Sequence, residues 1–340
     1  MHALGYRITF AEPDIYDRAR HRDWPDGQDP EYAQCPMYHS REELDWHLRR
    51  ARQADLIIKH SGIGSEDDYI AAAVLDAAAA APAQRRPRVA FWDVDAPHTL
   101  SQIHADRAHP MRALLPSYDY VLTYGGGPVV SAAYLALGAR QCFPIYNGLD
   151  PDTHFPVASE LRFASDLTFL GHRLPDREHR VNHFFLDAAR LAPSRRFLLA
   201  GEGWQGIRHP ANVTLGGFIS PRQHNALNAS ARFVLNLNRD SMAEVGFSPP
   251  TRIFEAAGAG AAMISDAWAG IELFFEPGRE ILLATSAESV ASYLDEVSPE
   301  AAARLGQRAY QRALAEHTYA RRARRLDRLL HYAHATALAA

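Results

Sequence analysis

Two residues behind a pair of prolines are well suited to bind a charged ligand: Arg252 and Glu255, which follow Pro249 and Pro250. Because proline fits the first turn of a helix, we expect a helix to begin near these prolines with its free N–H groups exposed. An arginine supplies a fixed charge in a fork that suits phosphate oxygens, and an ionised carboxylate accepts hydrogen bonds from both hydroxyls of a ribose diol. The pattern predicts a site for a diphosphate and a ribose. A surface ion pair between Arg252 and Glu255 is the alternative.

Polar residues at the ends of earlier apolar runs indicate the same ligand. A glycine and two arginines follow the run at residues 166–170, and two asparagines lie at the end of the run at residues 232–237. In an open parallel sheet, ligands bind outside the carboxyl ends of the strands, which favours these positions. The predicted ligand-binding residues are Gly171, Arg173, Arg177, Asn236, Asn238, Ser248, Thr251, Arg252 and Glu255.

Two carboxylates and a histidine end an apolar run in the first half of the chain. Asp93, Asp95 and His98 lie at or after the end of the run at residues 88–93, where they could carry out acid–base chemistry. Two alternatives stay open, because Asp95 could cap a helix that starts near Pro97, and the Asp-x-Asp pair could hold a divalent cation against a diphosphate. The sequence predicts these three residues as catalytic candidates.

Glycine-rich turns follow two further apolar runs of the first half. One turn comes after His60 and contains Gly62, and the other is the triplet Gly125, Gly126 and Gly127. Glycines in such turns allow backbone N–H groups at the start of a helix to approach an anion or a sugar. Neither turn matches the dinucleotide fingerprint or the P-loop, and a tight strand-to-helix turn is the alternative. We predict that these five residues bind a second substrate.

Short apolar runs rich in β-branched and aromatic residues alternate with helical segments along the whole chain, which is typical of parallel α/β units. The runs of the first half are Tyr6 to Ala11, Asp55 to His60, Arg88 to Asp93, Tyr120 to Tyr124 and Gln141 to Tyr146. A second series of such runs extends from residue 166 to residue 283. We predict an α/β fold with two Rossmann-like domains, the first containing a sheet of five strands.

The length of 340 residues favours two domains. Turn residues between Pro144 and Pro156 indicate the boundary and a linker. The predicted parts are an N-terminal Rossmann-like domain at 1–150, a C-terminal Rossmann-like domain at 151–315, and a C-terminal helix at 316–340 that could return to the first domain.

Composition and charge exclude several classes of protein. Hydrophobic residues make up 47% and charged residues 22%, which is typical of a globular protein with a sizeable core. The formal net charge of -4 does not favour binding to nucleic acid. No apolar stretch approaches the about 18 residues of a membrane helix, no signal peptide is visible, and Cys35 and Cys142 are the only cysteines. We expect a cytoplasmic protein with no transmembrane segment and no nucleic-acid partner.

Five segments resemble a known family. They are Phe91 to Thr99, Tyr118 to Pro128, Asp166 to Arg177, Ser248 to Glu280, and His317 to Tyr319. In these segments the sequence resembles glycosyltransferases of the two-domain GT-B architecture, and in particular the CgeB-like family, named after a spore maturation protein. The resemblance implies two Rossmann-like domains that face each other across a cleft.

The resemblance also implies transfer of a sugar from a nucleotide-sugar donor, bound by the C-terminal domain, to an acceptor (a glycan, a protein or a small molecule) bound by the N-terminal domain. Glu255 would bind the donor ribose, and Asp95 is the preferred base. The nucleotide sugar is a co-substrate, so we expect no cofactor and no metal site. Two alternatives stay open: a non-catalytic two-domain protein that binds a sugar or a nucleotide, and a metal-dependent transferase that uses Asp93 and Asp95.

Overall fold

The computed structural model describes residues 1–15, 28–62 and 66–338. The chain divides into two compact units, which we call the first unit (residues 1–145 and 323–340) and the second unit (residues 146–322). The division lies after Ile145, a few residues before the boundary predicted at residue 150. Within the described ranges, no helix combines the length and the apolar character that a membrane span requires.

The first unit contains two parallel sheets with helices between the strands. The small sheet consists of β1 (Glu12–Pro13) and β2 (Met37–Tyr38), and the main sheet of four strands consists of β3 (Leu56–His60), β4 (Arg88–Asp93), β5 (Tyr120–Thr123) and β6 (Cys142–Pro144). Its helices are α1 (Arg41–Ala51), α2 (Asp67–Ala79), α3 (Ala96–Ala105), α4 (Met111–Leu114) and α5 (Gly127–Ala136). The sheet order is β3-β4-β5-β6, with Ile58 aligned with Ala90 and Val121 with Cys142. The turns after β3, β4 and β5 therefore lie along one edge of this sheet.

The segment Tyr6 to Ala11, predicted as the first strand of this sheet, does not join it. It runs instead beside residues 34–38, where the amide of Phe10 donates to the carbonyl of Gln34 at 2.7 Å and β1 pairs with β2. Its side chains are at most half-buried. An interior strand of a parallel sheet is buried on both faces, so this segment suits a small exposed ribbon. The prediction of a fifth strand in the first sheet is wrong.

The second unit contains a parallel sheet of six strands in the order β12-β11-β10-β7-β8-β9. Its strands are β7 (Ser165–Leu170), β8 (Phe197–Ala200), β9 (Val213–Gly217), β10 (Ala231–Asn236), β11 (Met263–Asp266) and β12 (Leu282–Ala284). Its helices are α6 (Pro175–Val181), α7 (Ala188–Leu191), α8 (His224–Ser230), α9 (Asp240–Val245), α10 (Thr251–Gly258), α11 (Ala287–Glu296) and α12 (Pro299–Glu316), with a π-helical stretch at Asn182–Asp187 between α6 and α7.

The central strands of this second sheet are covered on both faces. In β7 the side chains of Leu167 and Phe169 lie on one face of the sheet and that of Thr168 lies on the other. All three residues are 0% exposed. Phe197 of β8 and Phe233 of β10 extend the same core. Burial on both faces explains why these strands read as continuous apolar runs in the sequence.

The C-terminal helix α13 (Tyr319–Leu338) begins after a break that follows α12. From residue 323 onwards it belongs to the first unit. Leu326 is buried in the core of that unit together with Leu122 of β5, and Leu329 and Leu330 pack against the same cluster. The helix thus returns to the first unit, as the sequence suggested it could.

The turn-rich segment at residues 147–156, predicted as a linker, packs within the second unit. Leu149 is 1% exposed, donates its amide to the carbonyl of His317 at 2.7 Å, and accepts from the amide of Tyr319 at 2.9 Å. A Cβ at Gly148 would lie 2.6 Å from the carbonyl oxygen of His317, so a larger residue does not fit. Residues 148 and 149 thus form part of a core, whereas residues 151–153, 155 and 156 are exposed, so a linker over residues 151–156 stays a prediction.

Candidate functional site

The carboxyl edge of the second sheet gathers the residues predicted to bind a phosphorylated ligand. Strand β7 has β8 on one side and β10 on the other, so the order of the strands along the chain reverses at β7 and β10. In open α/β sheets ligands bind at such a switch point, because the loops that follow the two strands diverge. Gly171 follows β7 and Asn238 follows β10. The switch point is therefore the place to look for a site.

Two glycine loops lie against each other at the ends of β7 and β8. The amide of Gly171 donates to the carbonyl of Ala200 at 3.0 Å, and the indole of Trp204 donates to the carbonyl of Gly171 at 2.7 Å. A Cβ at Gly201, whose φ is +116°, would lie 2.2 Å from the carbonyl oxygen of Gly171. Only glycine permits this approach and this φ. The backbone after β7 is therefore held in one position.

Arg177, in the first turns of α6, carries a buried positive charge at this edge. Its side chain is 4% exposed, and its Nη2 donates to the carbonyl of His172 at 2.6 Å. The guanidinium carbon lies 5.4 Å from the centre of the Phe169 ring. Burial, together with the positive charges of Arg252 and Arg239, lowers the pKa of Arg177 to about 9. A bound anion would remove this electrostatic cost.

Arg252, in the first turn of α10, supplies a second positive charge. Its Nη2 donates to the carbonyl of Leu237 at 3.3 Å, and its guanidinium carbon lies 5.8 Å from the centre of the same Phe169 ring. Burial lowers the pKa of Arg252, while the charges of Glu255 and Asp266 act in the opposite direction. The first amides of α10 have no acceptor within the helix, so they add partial positive charge beside this arginine.

Arg177 and Arg252 share an unusual environment for cations. Among the described residues, neither forms an ion pair with a carboxylate, and the buried Nε of each has no hydrogen-bond partner. Two partly desolvated guanidinium groups at a helix N-terminus attract a multiply charged anion. The arrangement can therefore bind phosphate groups and stabilise negative charge that develops on them.

Arg173 occupies a different environment from the one predicted for it. Its Nη2 donates to Glu178 at 2.6 Å, and its side chain is 39% exposed. A carboxylate partner already neutralises this arginine, so it contributes less to an anion site than Arg177 and Arg252 do. Its place in the loop after β7 nevertheless keeps it near Gly171.

The asparagines and Ser248 shape the turn that leads into α10. Asn238 donates from Nδ2 to the carbonyl of Ser248 at 3.3 Å, and Ser248 donates from Oγ to the carbonyl of Gly246 at 2.9 Å. Asn236 donates to Ser265 at 2.9 Å. The side-chain oxygens of both asparagines are buried without a partner among the described residues. These oxygens can accept hydrogen bonds from a ligand, whereas Thr251 contributes the first amide of α10.

Glu255 lies one helical turn after Arg252 and is partly buried, with 24% of its side chain exposed. The alternative of a surface ion pair with Arg252 is not observed among the described residues, because the neighbour of its Oε2 is the Nδ1 of His224 at 4.0 Å. Its oxygens can therefore accept hydrogen bonds from a ligand. The structure brings Glu255 together with Arg252, Thr251 and the turn at Ser248 on one short helix and its approach.

Two histidines and an ion-paired aspartate near this site were not predicted from the sequence. One ring nitrogen each of His154 and His224 and a carboxylate oxygen of Glu255 lie within 4.8 Å of one another. Asp266 at the end of β11 accepts from the amide of Asn238 at 3.1 Å and from Arg180 at 2.8 Å, which fixes the loop after β10. No sequence signal joins these histidines, because they lie 70 residues apart.

In the first unit, Asp93 at the end of β4 is a fully buried carboxylate. It accepts hydrogen bonds from Ser61 at 2.9 Å, from Thr99 at 3.0 Å and from the amide of Asp95 at 3.1 Å, and also from the hydroxyl of Tyr134. Burial raises the pKa of Asp93, while these hydrogen bonds lower it. These four hydrogen bonds tie Asp93 into the turn after β4, and its predicted catalytic role stays a prediction.

Asp95 and His98 lie at the start of α3. Asp95 is the residue before the first turn of α3 and is partly buried, and His98 is exposed. The side chain of Asp95 forms no capping hydrogen bond with α3. The alternative role of a helix cap is therefore not observed, and the predicted role of Asp95 as a base stays a prediction.

His60 and Gly62 lie at the end of β3. The ring of His60 stacks on Trp92 with centroids 5.4 Å apart. Burial, helped by the charge of Lys59, lowers the pKa of His60, so this imidazole is neutral near pH 7. A Cβ at Gly62 would lie 2.9 Å from Oδ1 of Asp67, which pairs with Lys59 at 2.5 Å. The rest of the predicted turn, residues 63–65, lies outside the described residues.

The glycine triplet forms the start of α5. Gly126 and Gly127 have φ angles of 81° and 45°, and Thr123 donates to the carbonyl of Gly125 at 3.0 Å. Positive φ requires glycine at this tight strand-to-helix turn. All three glycines lie in the turn with little exposure, so the turn explains them without a ligand, and their binding role stays a prediction.

Known proteins resemble the chain at two levels. Residues 177–328 match the family model described as glycosyl transferase-like, which covers less than half of the chain. The matched range contains Arg177, Arg252 and Glu255, and the match confirms the predicted class of enzyme. No curated protein sequence matches the chain at a significant level.

Several solved structures resemble nearly the whole chain. HepE from Anabaena, solved in complex with UDP-glucose, is 13% identical with a TM-score of 0.60, and the match covers 96% of this chain and 100% of HepE. Sucrose-phosphate synthase from Thermosynechococcus elongatus is 15% identical with a TM-score of 0.64, over 98% of this chain and 90% of that protein. A glycosyltransferase from Rickettsia africae is 10% identical with a TM-score of 0.62, over 96% and 98%. These likenesses confirm the predicted α/β fold of GT-B type.

Proposed function

We propose that this protein transfers a sugar from a nucleotide-sugar donor to an acceptor, and that the donor binds at the switch point of the second unit. The observation that carries the proposal is the pair of cations beside the first turn of α10, the buried Arg177 and the partly buried Arg252. Neither has a carboxylate partner among the described residues. A diphosphate supplies the negative charge that balances these two cations.

The two arginines act on the leaving group. In the reaction, the bond between the sugar's anomeric carbon and the diphosphate oxygen breaks, and a bond to the acceptor oxygen forms. Negative charge grows on the diphosphate as it leaves, and Arg177, Arg252 and the α10 amides stabilise that charge. Because these groups are already in place, the step needs no metal ion.

Glu255 orients the donor through its ribose. Its carboxylate lies one turn into α10 from Arg252, which is the arrangement expected for neighbouring diphosphate and ribose groups. An ionised carboxylate only accepts hydrogen bonds, so it can hold both ribose hydroxyls at once. Asn236 and Asn238, whose buried side-chain oxygens have no partner among the described residues, supply further acceptors.

The acceptor proton passes to a base, for which Asp95 is the candidate. Asp93 is less suited, because its oxygens accept four hydrogen bonds from within the first unit. The relatives favour a UDP-sugar as the first donor to test, since HepE has been solved with UDP-glucose and with UDP and glucose. Membership of the CgeB-like family and a cytoplasmic location stay predictions.

A thermal-shift screen against UDP-, GDP-, ADP- and dTDP-sugars tests the proposal. A donor present at about 100 times its Kd stabilises the folded chain by about 2.7 kcal/mol, so one nucleotide should raise the melting temperature clearly. Release of the nucleotide is then measured with and without candidate acceptors. Absence of a shift with all four nucleotides would overturn the donor site. Tight binding with no hydrolysis or transfer in the presence of an acceptor would favour the non-catalytic alternative.

A further inference from the structure

His154, His224 and Glu255 form a cluster in the second unit whose chemistry differs from that of the arginine site. One potential ligand atom from each lies within 4.8 Å of the others, and Nδ1 of His224 lies 4.0 Å from Oε2 of Glu255. All three side chains are partly buried. Two imidazoles and one carboxylate are a donor set that Zn²⁺ uses in proteins, with the fourth position left to water or substrate.

The hydrogen bonds of His224 leave its ring suited to bind a metal. Its Nε2 lies 3.3 Å from the carbonyl oxygen of Ile219. Because a carbonyl only accepts, this contact assigns the proton to Nε2 and leaves the lone pair of Nδ1 on the side of Glu255. Metal-ligating histidines commonly donate their other N–H in this way.

Two further contacts hold His154 beside the other members. Asn225, the neighbour of His224 on α8, donates from Nδ2 to the carbonyl of Thr153 at 2.9 Å. Gly258 lies one turn after Glu255 on α10, and a Cβ there would lie 2.8 Å from the carbonyl oxygen of His154. The segment before His154 is thus tied to α8 and lies directly on α10. The first contact therefore ties the segment to the helix that carries His224, and the second places it on the helix that carries Glu255.

We propose that His154, His224 and Glu255 form a binding site for a divalent transition metal such as Zn²⁺. Metal–ligand bonds of about 2.0–2.2 Å require the three ligand atoms to be closer together than they are here, and side-chain rotation can supply that change. The backbone need not move, because the Asn225 and Gly258 contacts already set it.

Metal binding at this cluster competes with the donor. This step rests on the proposed function, because Glu255 is also the residue that would bind the ribose. A carboxylate oxygen bound to Zn²⁺ gives up negative charge and a lone pair to the metal, and the metal with its remaining ligands occupies space beside Glu255, so the carboxylate holds the two ribose hydroxyls less well. The metal therefore acts as an antagonist of donor binding and takes no part in the transfer step.

Calorimetric titration of chelator-treated full-length protein with ZnCl₂ tests the site. We expect one site in the wild type, weakened at least about tenfold in His154→Gln and in His224→Gln, since removal of even an outer contact of a metal site costs about 10–100-fold. The control is His183→Gln. His183 is an exposed histidine whose Nδ1 lies 3.9 Å from a carboxylate oxygen of Asp187, much as Nδ1 of His224 lies 4.0 Å from Glu255. The chain has 17 histidines, so this control separates the cluster from scattered surface binding.

The result that overturns the site is an unchanged Zn²⁺ affinity in both cluster variants, with circular dichroism showing that they are folded. A loss of affinity equal to that of His183→Gln overturns it as well. Binding of UDP is then measured with and without Zn²⁺. If Zn²⁺ binds as expected but leaves UDP affinity unchanged, the metal site stands and the ribose role of Glu255 falls. If UDP binds and Zn²⁺ does not, the metal site alone falls.

Discussion

Arg177 and Arg252 hold their guanidinium carbons 5.4 and 5.8 Å from the centre of one aromatic ring, that of Phe169. Each cation–π contact is worth about 0.5–2 kcal/mol, which offsets part of the cost of bringing a buried and a partly buried positive charge together. The ring thereby positions both arginines before any ligand arrives. A diphosphate that binds between them meets charges that need little rearrangement, which is the condition under which electrostatic stabilisation of a leaving group is most effective.

Removing Arg177 or Arg252 should weaken the binding of UDP. We expect Arg177→Gln and Arg252→Gln each to reduce affinity by about tenfold or more, because a hydrogen bond to a charged group contributes about 1.5–3 kcal/mol. The double variant should lose less than the sum, since both arginines contact one ligand group. Calorimetry measures this, with uridine as the ligand without phosphates. The control is Arg190→Gln, whose exposed arginine pairs with Asp187. Equal losses for uridine and UDP would contradict the assignment.

Glu255→Gln should weaken nucleotide binding without unfolding the protein. The amide presents one acceptor oxygen in place of two, so one ribose contact is lost, at a cost of about tenfold in Kd. The matched control is Glu296→Gln, an exposed glutamate at the end of α11 that accepts from Ser292 at 2.8 Å. We expect the control to bind like the wild type. Calorimetry that finds the same Kd for Glu255→Gln and the wild type would remove Glu255 from the site.

The two aspartates after β4 should respond differently to the same change. Asp93→Asn places an amide among four donors and should lower the free energy of unfolding by about 1–3 kcal/mol, as expected for a buried hydrogen-bond network that loses an acceptor. Asp95→Asn should leave stability and donor affinity near the wild type and reduce the rate of sugar transfer. Denaturant unfolding and transfer assays measure both. Transfer by Asp95→Asn at the wild-type rate would show that another residue is the base.

Stability should fall in mild acid because of His317. This residue is 5% exposed, and its ring lies 5.7 Å from the rings of Phe254 and Phe274. Burial, with the charges of Arg322 and Arg312, lowers its pKa to about 3.

Below the usual histidine pKa the unfolded chain binds a proton that the folded chain does not. The free energy of unfolding therefore drops by about 1.4 kcal/mol per pH unit as the pH falls from about 6.5 towards 3. His317→Phe, which cannot be protonated, should show a smaller drop over that range in denaturant unfolding. Equal slopes for the variant and the wild type would refute this role.

Local sequence patterns predicted a large part of the fold. The six strands of the second sheet are continuous apolar runs because they are buried on both faces, and burial of that kind is visible in the sequence. Helix α10 begins directly after the two prolines, where the missing N–H of proline is harmless. The prediction of a sheet strand at Tyr6 to Ala11 was wrong, because a short apolar run can form either an exposed ribbon or a strand of the main sheet.

Residue types and spacing by themselves determined the α/β architecture, the helix that carries Arg252 and Glu255, and the kind of ligand that those two side chains suit. Only the tertiary structure decided which charges are free to act, since Arg173 found a carboxylate partner and Arg177 did not. It also placed hydrogen-bond donors around the oxygens of Asp93, and it brought His154 close to His224, which lies 70 residues later in the chain. The physical reason is that strand order and burial set the partners of each polar group, and these depend on contacts between residues far apart in the chain.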